Sequence, residues 1–185
     1  MSRIPLLYIL HSGQLYGTER MALWTADPLR DEYAPHFFAP AGPALDEARR
    51  MGFDADSFSG TRDLAFKLGA ALWRHRELAV FATGVTHSLA VVAWNLVLRR
   101  RLRHIHMVHG GTDEHLSYGR KRRLNAAGVR FVAVSAYVRE RLVAHGVRDD
   151  RITIIENFLP CEHVAHAPRR GPFEEAGIRE LSLIH

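Results

Sequence analysis

Along most of this 185-residue chain, short apolar runs alternate with longer stretches of helical periodicity. That alternation limits the possible folds more than any other feature. Strands separated by helices are joined by right-handed crossovers and pair in parallel, with helices covering both faces of the sheet. Ile4–Leu10, His36–Ala39, Leu78–Ala82, His104–Val108, Phe131–Val134 and Ile152–Ile155 read as strands. Thr18–Leu29, Ala44–Met51 and Arg62–Arg76 read as helices, the last with a stripe at residues 64, 68, 71 and 72. His87–Arg101 is apolar nearly all round, which predicts a buried helix. A further helix is expected between Ser135, a hydroxyl N-cap, and Gly146, a glycine just past its end. The expected fold class is α/β, in three layers around a mostly parallel sheet.

Composition narrows the function classes. With 47% hydrophobic and 24% charged residues, the chain is neither disordered nor fibrous. Cys161 is the only cysteine, so a disulfide-stapled secreted scaffold is excluded. The longest apolar stretch, Leu89–Leu98, is half of what a bilayer span needs, roughly 20 residues, and the expected setting is cytoplasmic. Net charge is +5, and every basic residue except Lys67 and Lys121 is arginine. Arg99–Arg103 and Arg120–Arg123 form two basic clusters. The plain reading is a solvated helix end and a solvated loop; the alternative is contact with anionic lipid headgroups. Nucleic acid is not expected as a partner, since no zinc-finger spacing, RNP signature or aromatic stacking series accompanies the charge.

The stretch Pro160–Pro172 contains three prolines and reads as a linker. After it, Phe173–Gly177 resembles a helical turn and Leu181–His185 the opening of another strand. The expected organisation is a domain over 1–159, a linker over 160–172, and the start of a second domain over 173–185. An edge strand added to the first sheet is the alternative.

In an open parallel sheet, ligands bind outside the carboxyl ends of the strands, at the point where strand order reverses. The segments following the proposed strands are His11–Glu19, Pro40–Pro43, Thr83–Ser88, His109–His115, Ser135 and Glu156–Asn157. They are rich in glycine, hydroxyl, imidazole and carboxylate groups, which allow close approach, orientation and proton transfer. Gly13, Gly17 and Thr18 read either as an anion-binding turn before a helix or as plain loop residues. They match neither a dinucleotide fingerprint nor a P-loop. His87 reads as a site or a helix-capping histidine, and Ser135 most simply as an N-cap. His109 is the sharpest candidate, because it stands where a strand gives way to Gly110-Gly111. No metal site is expected: His104 and His106 share one strand face, alternation sends His109 to the other, and no HExxH or Cys/His quartet is present. A GxSxG nucleophile elbow is absent too.

Three segments carry a resemblance. Tyr16-Gly-Thr-Glu19 resembles a Gly-Gly-x-Glu loop, Ile105–Gly110 a strand ending in His-Gly, and Phe131–Gly146 with Asp150–Asn157 a longer valine-serine to asparagine run. Together they resemble the N-terminal half of the family 4 retaining glycosyltransferases, built from two Rossmann-like domains (the GT-B fold). Phe158 and Pro160 replace a glycine and an acidic residue of the family pattern.

The resemblance implies an acceptor-binding domain, with residues 173–185 as the start of a nucleotide-sugar domain. A nucleotide-diphosphate sugar is then the substrate and no cofactor is needed. Its phosphates approach Gly13, Gly17 and Thr18. A glycan or lipid-linked acceptor enters near Glu19, His87, Thr112 and Asp113. His109 orients a reacting hydroxyl or acts as base, and transfer proceeds with retention and without a metal. The isolated chain is expected to be inactive. Arg99–Arg103 and Arg120–Arg123 are expected to form a peripheral membrane face. Two rival functions stay open: a sugar-nucleotide epimerase half, and a non-catalytic α/β module binding anionic membrane or nucleic acid.

Overall fold

The computed structural model describes residues 3–100, 102–111 and 118–158. Seven strands pair in one sheet: β1 (Ile4–Ile9), β2 (Tyr33–Ala39), β3 (Asp54–Ser57), β4 (Ala79–Ala82), β5 (Arg103–Val108), β6 (Arg130–Ala133) and β7 (Ile152–Ile154). Their order is β3-β2-β1-β4-β5-β6-β7, and every pair is parallel. Among the described residues, five α-helices lie between the strands: α1 (Gly17–Ala26), α2 (Pro43–Arg50), α3 (Thr61–Arg74), α4 (Val85–Leu98) and α5 (Ala136–Ala144). Strand order reverses between β1 and β4, which makes that junction the switch point.

The reversal puts the helices on both faces. Leu6, Tyr8 and Leu10 point to the layer of α1 and α2, where they pack with Ala22, Leu23, Leu45 and Phe37. Leu7 and Ile9 point the other way, towards Leu64, Leu68 and Leu72 of α3 and Val91 of α4. On that second face, Val138 and Leu142 of α5 pack with Phe131 and Ala133 of β6. A strand buried on both faces must be apolar without interruption, as β1 is. Leu6, Leu7, Ile9 and Leu10 each contribute roughly 1.5–3 kcal/mol by burial, which favours a central place for β1.

The structure corrects several boundaries. β3 was not expected, because Asp-Ala-Asp-Ser carries no apolar pattern. It lies at the sheet edge, largely exposed, where main-chain pairing with β2 suffices. α1 stops at Ala26 and not at Leu29, since Pro28 follows and Asp27–Asp31 tightens into a 3₁₀ turn. α4 is not buried all round: Ser88 and Val91 face inward, while Leu96 and Val97 are each 71% exposed. Only one face of a helix in an outer layer meets the sheet, whatever residues the other face carries. Ser135 caps α5 by accepting from the Val138 N–H at 3.2 Å, and Gly146 adopts φ +86°, as the start and stop signals predict. The proposed linker and second domain lie outside the described residues.

Two loops at the carboxyl edge are locked by backbone contact. A Cβ on Gly13 would lie 2.5 Å from the Pro40 carbonyl oxygen and 2.7 Å from that of Ala41, while the Ala44 N–H donates to the Gly13 carbonyl at 2.9 Å. Gly42 returns the contact at φ +156°. A Cβ on Gly17 would meet no other side chain or loop within 4 Å. Gly13→Ala should therefore cost roughly 1–3 kcal/mol by overpacking, read as a melting temperature several degrees lower. Gly17→Ala should leave it unchanged. Equal melting temperatures for both variants would contradict this packing.

Candidate active site

At the switch point, the carboxyl ends of β1, β4 and β5 open onto a cleft of about 420 Å³. Its walls come from His11 after β1, Thr18 of α1, Thr83 and Gly84 after β4, His109 to Gly111 after β5, and Lys121. Residues more than a hundred positions apart meet here because parallel strands all end at one edge. The His11 N–H donates to Thr83 Oγ1 at 2.9 Å, and His11 Nδ1 lies 2.9 Å from the same oxygen, which ties β1 to β4.

Burial sets the chemistry of the histidines. Removal from water pushes His109 down to about 4, with a smaller contribution from nearby His11, so at neutral pH its imidazole is uncharged. Its Nε2 is buried with no hydrogen-bond partner. His87 is likewise pushed to about 4, by burial first and His11 second. It packs edge-on to Phe58 with ring centroids 5.3 Å apart and sits against Gly84, behind the cleft wall.

Glu19 is fully buried, and neither carboxylate oxygen has a hydrogen-bond partner. Its Oε1 lies 3.7 Å from His11 Nδ1, so its route to the cleft runs through that imidazole. Its place in the first turn of α1 also suits the positive end of the helix dipole. α1 begins at Gly17, and the Tyr16 side chain at its N-cap accepts from none of its first N–H groups.

The sequence signature of Glycosyltransferase Family 4 matches residues 16–163. The chain belongs to that family. Comparison with curated proteins gives no match. Among solved structures, this family 4 chain is similar to Anabaena HepE in complex with UDP-glucose, with a TM-score of 0.71 at 16% identity over 86% of this chain and 45% of HepE. It is similar to a glycosyltransferase from Rickettsia africae, with a TM-score of 0.69 at 15% identity over 97% of this chain and 51% of that one. A UDP-N-acetylglucosamine 2-epimerase from Rickettsia bellii gives a TM-score of 0.56 at 10% identity, over 97% and 50%. The chain thus spans about half the length of these structures. They share the Rossmann-like α/β architecture found here.

Of the residues expected to form a site, His109 and Thr18 line one cleft, with His87 and Glu19 directly behind it. Gly17 lies on a neighbouring hollow with Arg20, Trp24 and Asn157, while Gly13 is taken up by loop packing. Thr112 and Asp113 lie outside the described residues. Three polar cleft residues, His11, Thr83 and Lys121, were not singled out as site residues by the sequence reading. His11 was visible only as the residue following a central strand. Lys121 was hidden inside a basic cluster whose other members, Arg120, Arg122 and Arg123, are exposed while it is 7% exposed.

Beneath α4, Ser88 Oγ lies 3.1 Å from His104 Nε2 and 2.9 Å from His106 Nδ1. These histidines share one face, as alternation requires, and serve the interior of the family 4 domain. Burial pushes His104 down to about 4 and His106 well below its usual value. Because the folded chain takes up these protons later than the unfolded one, stability is complete above about pH 6.5 and falls towards pH 4. His104 alone should account for about 3 kcal/mol of that loss. Urea midpoints at pH 7.5 and 4.5 measure it, and the drop should shrink in His104→Asn. An identical drop in both proteins would refute the assignment.

Proposed function

We propose that this chain is the acceptor-binding half of a retaining glycosyltransferase, inactive alone, that works on a nucleotide-diphosphate sugar. The observation that carries this reading is the cleft at the switch point, lined both by Thr18 of α1 and by the neutral imidazole of His109, whose Nε2 has no hydrogen-bond partner. Membership of family 4 and the likeness to HepE, whose structure contains UDP-glucose, support a nucleotide sugar as donor.

The chemistry follows from the charges that develop. Transfer makes the sugar cationic and the leaving diphosphate anionic, so fixed dipoles and hydrogen bonds contribute most. The uncapped N–H groups of α1 and the Thr18 hydroxyl stand where an anion gains from the helix dipole. His109 offers its free nitrogen to a sugar or acceptor hydroxyl, fixing its orientation. The Glu19 carboxylate lies beside the His11 imidazole, which Thr83 fixes from the end of β4. Thr112 and Asp113 complete the acceptor entrance in this reading, and no metal is required.

In the full-length protein, His109→Ala should reduce kcat by roughly 10²–10³ with a smaller effect on KM. Transfer should survive chelation of divalent metals, and the product should keep the donor's anomeric configuration by NMR. A variant with full activity would remove His109 from the site. Epimerised sugar nucleotide formed without any acceptor would replace this reading by the epimerase one.

The same reading includes work at the inner face of a membrane on a lipid-linked acceptor. Arg120, Arg122 and Arg123 are exposed on the 3₁₀ segment Gly119–Ala127, which packs against α4, and α4 ends in exposed Leu96 and Val97 followed by Arg99. Vesicles rich in anionic lipid should carry the chain upward in flotation, and replacing Arg120, Arg122 and Arg123 by glutamate should abolish this. Equal flotation of both forms would exclude that surface.

A further inference from the structure

We propose that Lys121 is an anion-recognition residue of the cleft, and that the acceptor it selects carries a phosphate beside its reactive hydroxyl. This rests on the acceptor-binding reading above and names the acceptor's chemical class.

The placement of Lys121 follows from local geometry. Gly119–Ala127 winds as a 3₁₀ helix, in which residues three apart eclipse one another. Lys121 and Leu124 therefore point inward together, and Arg120, Arg122 and Arg123 point to solvent. Leu124 enters the apolar cluster beneath α5. Lys121 instead lines the cleft, with its ammonium 5.9 Å from the centre of the Tyr118 ring. A lysine near a surface ordinarily extends its head into water, and this one is buried against the cleft, only 7% exposed.

The cleft around it suits a phosphate. Among its described lining residues there is no carboxylate; the ionisable groups are Lys121, His11 and His109. Glu19 stands behind His11 and not on the wall. Gly110, at φ +93°, and Gly111 bring bare backbone to the wall beside Lys121, with the Tyr118 hydroxyl close to Gly110. Lys121 comes from the crossover between β5 and β6, whereas Thr18 comes from α1 after β1. Thr18 thus bounds the cleft from the α1 side and Lys121 from the β5 side. Burial lowers the Lys121 ammonium to about 8, so it is still mostly charged at neutral pH and gains from an incoming anion.

Titration calorimetry on the chain tests this without any transfer assay. Glycerol 3-phosphate and a hexose 6-phosphate should bind at least about tenfold more tightly than glycerol and hexose at pH 7.5. Lys121→Gln should remove that preference, and Lys121→Arg should keep it. In the unaltered chain, affinity should fall about tenfold or more from pH 7.5 to 9.5, where the phosphate stays dianionic, whereas Lys121→Arg should not change. This pH comparison holds even if Lys121→Gln fails to fold. Loss of binding only to phosphatidic-acid vesicles would assign the phosphate to a lipid; loss with the soluble esters would assign it to a phosphosugar or polyol. Equal affinity for phosphorylated and neutral probes would overturn the proposal. So would a Lys121→Gln variant that weakens UDP as much as the esters, because the ammonium would then serve the donor. Sugar transfer to a neutral acceptor by the full-length protein, with no phosphate preference, would sink this inference and leave the glycosyltransferase reading standing.

Discussion

The pairing of β1 with β2 on one side and β4 on the other is the contact on which the remaining structure depends. Leu6 to Ile9 pair in register with Ala79 to Ala82, and Ile4 to Ile9 with Tyr33 to Phe38. A chain that leaves β1 in one direction for β2 and β3, then returns to its other side at β4, must place its helices on opposite faces. The gap between the two directions is the cleft. His11, Thr18 and Thr83 reach it because they follow β1 and β4, and His109 because it follows β5. No side chain of the site makes this geometry; the buried main chain beneath it does.

Rigidity and chemical readiness are divided between neighbouring loops. The Gly13–Gly42 contact and the His11–Thr83 hydrogen bonds hold the first and fourth strand ends at fixed positions. The groups held in place are left unsatisfied: His109 Nε2, His87 Nδ1 and both oxygens of Glu19 are buried without hydrogen-bond partners. Buried polar atoms of that kind cost stability, and those beside the cleft fit a place that a ligand completes. Beneath α4, Ser88 pairs with His104 Nε2 and His106 Nδ1, while His106 Nε2 is likewise buried without a partner.

Much of the domain was legible in the residues themselves. The apolar runs of β1, β4, β5 and β6 and the caps of α5 are local signals, and the parallel class follows from their alternation with helices. β3 was not legible, because an edge strand needs only main-chain partners and Asp54 to Ser57 advertise nothing. The all-apolar α4 misled in the opposite sense: composition records how much apolar surface a helix has, but its neighbours decide how much is covered.

The candidate site divides along the same line. Sequence by itself determined that His109, Thr18, Glu19 and His87 belong to loops at one edge, since any residue just past a parallel strand ends there. Tertiary structure alone decided which of them reach the cleft and which stand behind it. It also drew Lys121 out of an arginine-rich surface run, because the inward direction along a 3₁₀ segment depends on what packs beneath it. Strand direction is written in local pattern, whereas burial and charge state belong to the packed molecule.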